Sequence, residues 1–385
     1  MTGRLEICAV SGGRADYGLL LPVLKALSKD AGFGLQLILT GQHLVREAGS
    51  TAADARAEGF AVTEVDMQLL ADDPVSISRA AGRALAGISD ALAHLKPDML
   101  LILGDRYEIL CAAVAATIAR VPIVHIAGGD ITEGAFDDAF RHAITKLAHI
   151  HLVTNADAAR RVRQLGESPE RVHIVGSPGL DLVRTTRVPS REEFFAAIGL
   201  QPQAVNLIVT FHPATLAKDS VADLEKILKA LTLVGDDTAI LFTGSNADPD
   251  GRRIDARVQE FVACRGAMRF KATLGNALFY AALSHMDAMV GNSSSGLYEA
   301  PSFGIPTVNI GDRQKGRLRA SSVIDCAAER RAIHAAIGAA LTRGRKPSVN
   351  PFGDGRSSER IIALLKSIDD PRSLLVKRFA ELEAA

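Results

Sequence analysis

The sequence predicts an α/β protein with two doubly wound domains, and three observations carry that prediction. At 385 residues the chain is long enough for two cores. Short apolar runs of strand length alternate with helix-length amphipathic stretches along both halves, the pattern of parallel sheets covered by helices. Most of these runs end abruptly in Gly, Asp, Asn, Ser or His, as strands do where they deliver polar residues to the rim of an open sheet.

Leu5–Val10 reads as the first buried strand, followed by Ser11-Gly12-Gly13-Arg14-Ala15-Asp16-Tyr17-Gly18 and a helix with apolar positions from Leu19 to Leu27. Strand, glycine-rich turn and helix make a phosphate-binding opening, with Arg14 where the strand reaches the rim. A tight turn with Arg14 in solvent is the plainer alternative. The turn is not GxGxxG and no Walker lysine follows, so nicotinamide or ATP binding has little support. A second strand, Leu35–Thr40, ends at Gly41-Gln42-His43. A lone loop histidine is usually a surface residue, which makes His43 a minor substrate-binding candidate. Helical pattern returns around Ile77–Leu95.

The richest stretch runs from Gly104 to His149. Strand Met99–Leu103 ends at Gly104-Asp105-Arg106, where an apolar helix begins. Strand Ile123–Ile126 ends at Ala127-Gly128-Gly129-Asp130. Ligands of open parallel sheets sit beyond the carboxyl ends of the strands, which puts Asp105, Arg106, Asp130 and His125 on one rim. Glu133, Asp137 and Asp138 follow, then Arg141 and His142 on a helix. Either Asp137 or Asp138 alone reads as a helix cap or first-turn acid. Three acidic clusters brought to one crevice, with Arg106 and His142 among them, read as a site. Strand His151–Thr154, helix Ala156–Leu165, strand Val172–Val175 and Gly176-Ser177-Pro178-Gly179 close the first half.

Residues 181–204 read as a connector with a short helix and Pro202. Strand Leu207–Thr210 then leads to Phe211-His212-Pro213-Ala214-Thr215, and Ala239–Thr243 to Gly244-Ser245-Asn246. Helix Ile254–Cys264, strand Met268–Lys271 and helix Asn276–Leu283 follow. Strand Ala288–Val290 leads to Gly291-Asn292-Ser293-Ser294-Ser295-Gly296, which opens a helix through Glu299. This loop is the best anion cradle in the chain: its small residues admit a phosphate to the backbone N–H groups, and three serine hydroxyls add donors. Serial capping by serine is the structural alternative. His212, before a proline and after a strand, sits in an extended turn where it could pair with a phosphate or pack in the core. Glu299 suits a sugar hydroxyl better than a phosphate. Strand Thr307–Ile310 ends at Gly311-Asp312-Arg313, repeating the triplet at 104–106, and the tail beyond Ser358 reads as two helices split at Asp370-Pro371.

The totals exclude several classes. Lys+Arg and Asp+Glu balance at 44 each, so nothing in the overall field draws nucleic acid or a membrane, and any anion site is local. Cys8, Cys111, Cys264 and Cys326 show no metal or redox spacing. The N-terminus reads as a core strand rather than a signal peptide, and no apolar run is long enough to span a bilayer, which fits a cytoplasmic protein.

With these residues assembled, the chain resembles the hydrolysing UDP-N-acetylglucosamine 2-epimerases of sialic and legionaminic acid biosynthesis. The segments that carry the likeness are SGGRADYGLLLP, TGQHL, GDRYEIL, HIAGGDITEGAFDDAFRHAITKLAH, FHPAT and GNSSSGLYEAPSFGIPTVNIGDRQKGR. The resemblance implies two Rossmann-like domains facing a cleft in the GT-B manner. Residues 1–180 would form an N-terminal domain with the catalytic acids, 181–365 a nucleotide-binding domain, and 366–385 a helix packing back on the first. It implies a UDP-linked sugar substrate, no metal or nicotinamide cofactor, and a homodimer or homotetramer. The family reaction eliminates the nucleotide from C1 to leave a glycal, then adds water with C2 inverted. By the same matching Asp105, Asp137, Arg106 and His212 are catalytic. Arg14, His43, His142, Ser293, Ser294, Ser295, Glu299 and Arg313 would bind substrate. One departure stands out: many relatives carry a glutamate where this chain has Ala127, leaving Asp130 or Glu133 to take over. Open alternatives are a non-hydrolysing 2-epimerase, a GT-B glycosyltransferase, a silent nucleotide-sugar binder and a modified sugar such as a 2,4-diacetamido-6-deoxy hexose.

Overall fold

The computed structural model describes residues 4–45, 51–71, 73–131, 136–213, 220–235, 237–245, 251–263 and 265–381. The chain divides into two compact units, residues 1–181 with 352–385, and residues 182–351.

In the first unit the elements run β1 (Leu5–Ser11), α1 (Arg14–Lys29), β2 (Phe33–Thr40), a 3-10 turn at Gly41–Leu44, α2 (Thr51–Ala57), β3 (Ala61–Val65) and α3 (Pro74–Leu95). They continue through β4 (Met99–Leu103), α4 (Tyr107–Ala119), β5 (Ile123–Ile126), α5 (Asp137–Leu147), β6 (Ile150–Val153), α6 (Ala156–Gln164) and β7 (Val172–Ile174), and α7 (Gly179–Thr185) carries the chain into the second unit. The sheet order is β3-β2-β1-β4-β5-β6-β7, with every pairing parallel. The order reverses between β1 and β4, and such a switch point is where the adjoining loops separate and leave room for a ligand.

Alternation along the strands sorts the core into two faces. Ile7, Ala9, Leu37, Leu39, Leu101 and Val124 pack with α1 and α2, whereas Cys8, Val10, Ile38, Leu100 and Ile102 pack with α3 and α4. Both faces are covered, which is why these strands read as continuous apolar runs. β3 escapes that reading because it is an edge strand with mostly accessible side chains.

The second unit holds α8 (Arg191–Ile198), β8 (Val205–Thr210), α9 (Ser220–Leu231), β9 (Thr238–Thr243), α10 (Gly251–Ala263), β10 (Met268–Lys271) and α11 (Gly275–His285). After these come β11 (Ala288–Gly291), α12 (Ser295–Tyr298), β12 (Thr307–Ile310), β13 (Val323–Cys326) and α13 (Arg330–Arg343). Its sheet, β10-β9-β8-β11-β12-β13, is again all parallel and switches between β8 and β11. The stretch read as a connector contributes Phe194 and Phe195 of α8 to this unit's core, and a Ser190–Glu193 capping box starts that helix. The two Gly-Asp-Arg triplets are not equivalent. The first follows β4, beside a switch point; the second follows β12, one strand further out.

The chain then re-enters the first unit at 352, earlier than residue 366. Helix α14 (Ser357–Lys366) buries Ile361 and Leu365 completely against the α1 face, each contributing roughly 1.5–3 kcal/mol. The helix foreseen over 366–385 is absent from the described part of that segment, whose helical content is a 3-10 turn at Pro371–Leu375. Asp370 accepts from the amide of Arg372 and Pro371 lacks an N–H, so the chain turns instead of continuing helical.

Candidate active site

Each unit carries predicted residues on the loops of its own switch point. In the first unit, Gly104-Asp105-Arg106 leaves β4 beside the Ser11–Arg14 turn that leaves β1. Asp105 is held by Arg141 of α5, a residue the sequence reading placed on that helix without giving it a role in the site. Arg141 Nη1 also donates to Asp138 Oδ1 at 2.8 Å and to the Asp130 carbonyl at 2.7 Å, with its side chain only 6% exposed. One buried guanidinium thus ties the ends of β4 and β5 to the first turn of α5. The clue was present in sequence: Arg141 lies three residues after Asp138, on the same helix face.

Neither Asp137 nor Asp138 caps α5; Phe136 holds that position and makes no side-chain cap. Burial pushes the Asp137 carboxyl above the usual aspartate range, the Asp105 charge adds to it, and Arg106 and Arg141 oppose. His142 Nε2 stands 3.5 Å from Asp138 Oδ2, and its Nδ1 is enclosed without a hydrogen-bond partner. Asp130 keeps its place near the rim, where Thr154 Oγ1 (3.0 and 3.2 Å) and Asn155 Nδ2 (3.3 Å) donate to its carboxylate. Glu133 lies outside the described residues. Ala127 adopts φ +65°, a left-handed conformation uncommon for a residue other than glycine.

Two expectations need correction. His125 is not on the rim: it is completely buried, its Nε2 lies 2.8 Å from the Gly104 carbonyl, and burial lowers its pKa to about 3. It therefore donates from Nε2 as a neutral ring and steadies the turn that presents Asp105. His43 is no surface histidine. It is fully buried, with Nε2 2.9 Å from Ser11 Oγ and its ring edge-on to Tyr17. Asp16, also unforeseen as a site residue, accepts from Ser11 Oγ (2.9 Å) and from the amides of Gly12 (2.8 Å) and Gly13 (3.3 Å). Together these groups shape the turn that leaves Arg14 exposed at the start of α1.

Arg106 does not pair with the aspartates. Its Nε and Nη2 donate to Glu108 Oε2 (3.2 Å) and Oε1 (2.8 Å), and Glu108 is fully buried. Burial raises the Glu108 pKa against the pull of Arg106. A Cβ on Gly12 would lie 3.1 Å from Glu108 Cβ, and one on Gly41, at φ +62°, 2.6 Å from the Gly12 carbonyl. These glycines therefore admit the glutamate beneath the loop.

In the second unit the loops after β8 and β11 are locked together. Asn292 Oδ1 accepts from the His212 amide and Asn292 Nδ2 donates to the His212 carbonyl, both at 2.8 Å. The Asn292 carbonyl accepts from Gln314 Nε2 (2.8 Å) and Arg313 Nη1 (3.3 Å). Gly291, at φ +140°, is obligatory, because a Cβ there would meet the Thr210 carbonyl at 1.9 Å. The helix opened by the serine loop is shorter than the sequence suggests: one α turn, Ser295–Tyr298, then a 3-10 turn at Ala300–Phe303. Its dipole is correspondingly small, and Ser293 Oγ accepts from the Ser295 amide at 3.3 Å, so part of the serine content is local capping. Ser294 and Ser295 are partly exposed. Glu299 ends the α turn with Oε2 enclosed and unpartnered, and burial raises its pKa. Among the described residues no cluster of His, Cys, Asp or Glu could hold a metal ion, and no helix is long and apolar enough to cross a membrane.

Two parallel α/β units, with sheets of seven and six strands, are the fold of solved 2-epimerases. The crystal structure of UDP-GlcNAc 2-epimerase from Neisseria meningitidis bound to UDP-GlcNAc superposes with a TM-score of 0.73 at 19% identity, covering 94% of this chain and 100% of that one. The chain belongs to the UDP-N-acetylglucosamine 2-epimerase family, whose match spans residues 25–366. It is 34% identical to the UDP-N,N'-diacetylbacillosamine 2-epimerase (hydrolyzing) of Legionella pneumophila, over 94% of this chain and 96% of that protein. To the GDP/UDP-N,N'-diacetylbacillosamine 2-epimerase (hydrolyzing) of Campylobacter jejuni it is 35% identical, over 83% of this chain and 84% of that protein.

Proposed function

We propose that this protein is a hydrolysing nucleotide-sugar 2-epimerase that releases UDP and a free 2-inverted sugar. The reaction makes two demands. A base must take the C2 proton as the C1–O bond breaks, and an acid must return a proton to the opposite face of C2 while water supplies hydroxyl to C1. The departing diphosphate, which leaves with the C1–O electron pair, must meet donors that are already oriented. The observation that carries the reading is the Asp105–Arg141–Asp138 cluster with Asp137 beside it. Asp105, fixed by Arg141, suits the base, and Asp137, biased toward its protonated form, suits the acid. Arg14, His212, Ser294 and Ser295 would hold the diphosphate, with Arg313 and Ser293 supporting that loop, and Glu299 would accept from the ribose hydroxyls.

The sugar is UDP-GlcNAc or its 2,4-diacetamido-6-deoxy analogue, and the names of the two relatives above support the analogue. Incubation with each nucleotide sugar, without acceptor, followed by NMR tests the proposal. Free UDP with a 2-inverted free sugar is the expected result. An epimer still attached to UDP, or no turnover of either compound, overturns it.

A further inference from the structure

The family match stops at residue 366, yet the chain beyond it is bound to the unit that carries the acids. Arg171 donates to the carbonyls of Leu374 (2.9 Å) and Val376 (3.0 Å), and the Ala380 amide donates to the Gly166 carbonyl at 2.9 Å. Gly166, at φ +80°, leaves room for the Phe379 ring: a Cβ there would lie 2.3 Å from it. Between these anchors Lys377 reaches inward. Its Nζ donates to the carbonyls of Lys146 (2.6 Å) and Ala148 (2.7 Å) and pairs with Glu167 Oε2 at 2.7 Å. Lys146 and Ala148 close α5, so an ammonium from the tail satisfies carbonyls that the helix end cannot, at the negative pole of its dipole.

The surroundings make Lys377 hard to replace. Glu167 is fully buried and shared by Lys377, Lys146 Nζ (2.6 Å) and His151 Nε2 (2.9 Å). Burial alone would raise its pKa, but the hydrogen bonds from His151, Lys146 and Lys377 outweigh this and hold it at about 2. Nearby, His149 Nδ1 accepts from the Ile123 amide at 3.0 Å, joining the second residue after α5 to the start of β5. Helix α5 is therefore fastened at both ends, by Arg141 to Asp105 and the Asp130 carbonyl at one, and by Lys377 at the other.

We infer that Lys377 is a positioning residue: by capping α5 from the C-terminal tail, it fixes the helix whose first turn presents Asp137 and Asp138. The inference rests on the function proposed above for those acids. Displacements of about 1 Å are enough to cost a well-oriented reaction on the order of 10²-fold, so a loosened α5 shows first in the chemical step. None of the groups assigned to the diphosphate lies on α5, so substrate affinity is not touched.

The test uses the full chain with Lys377→Met and Lys377→Arg. Lys377→Met is expected to lower kcat about tenfold with KM within twofold, and Lys377→Arg to recover most of the loss. Hydrogen exchange of the α5 amides should speed up about tenfold in Lys377→Met and stay near wild type in Lys377→Arg. Unchanged α5 exchange and kcat in folded Lys377→Met overturns the inference, as does a loss confined to KM. If wild-type protein turns over neither nucleotide sugar, the functional reading fails, and the exchange result alone decides the cap. If Lys377→Met does not fold, Lys377→Gln carries the same expectations.

Discussion

Replacing Arg141 by methionine removes a group that joins Asp105, Asp138 and the Asp130 carbonyl. Taking out one partner of a buried ion pair costs about 3–5 kcal/mol, because the other charge is left enclosed. Here the two carboxylates keep 25% (Asp105) and 29% (Asp138) exposure, and Asp138 keeps His142 beside it, so part of what is lost is replaced. The expected destabilisation is therefore about 2–4 kcal/mol, within the usual 5–15 kcal/mol of a folded domain. Turnover should fall at least about 10²-fold, equivalent to roughly 2.7 kcal/mol of barrier, since both assigned acids lose their reference point. Arg141→Lys keeps the charge but not the planar fork that spans three acceptors, and should fall between the two. Urea unfolding at constant slope gives the stability, and UDP release at saturating substrate gives the rate. An Arg141→Lys variant matching wild type in both midpoint and kcat would show that the forked geometry is irrelevant, and the proposed arrangement of acids would have to be abandoned.

Other outcomes follow from the same geometry. Asp105→Asn should abolish turnover while leaving the UDP dissociation constant, read by calorimetry, within about twofold of wild type; full activity removes Asp105 from the mechanism. Because burial and Asp105 raise the folded-state pKa of Asp137, its contribution to stability is full below the unfolded value and is lost as pH rises through the folded one. Asp137→Asn should consequently melt above wild type at pH 7, with the gap closing below about pH 4, and thermal melts across that range check it. Asn292→Ala removes the two hydrogen bonds that Asn292 makes to the His212 backbone, a loss of about 1–3 kcal/mol. It should weaken UDP binding at least about tenfold by calorimetry, and an unchanged affinity would separate His212 from the diphosphate.

Much of the molecule is already written in the order of its residues. Strands buried on both faces, such as β4, β5 and β12, have the limits read from sequence, because a continuous apolar run bounded by polar residues has few ways to fold. Edge strands β3 and β13 went unread because half-exposed residues give no such signal. The strand-end positions of Asp105, Asp130, His212 and Ser293 were legible for the same reason: a parallel strand must present its last residues at one rim. What a side chain meets there is set by contacts distant in sequence. Only tertiary structure made His125 and His43 buried supports, gave Arg106 to Glu108, and joined Asp105 to Arg141. Only tertiary structure brought Lys377 to the end of α5, across a separation of 229 residues. Local sequence dictates backbone periodicity, whereas the partner of a buried charge depends on which distant element excludes water from it.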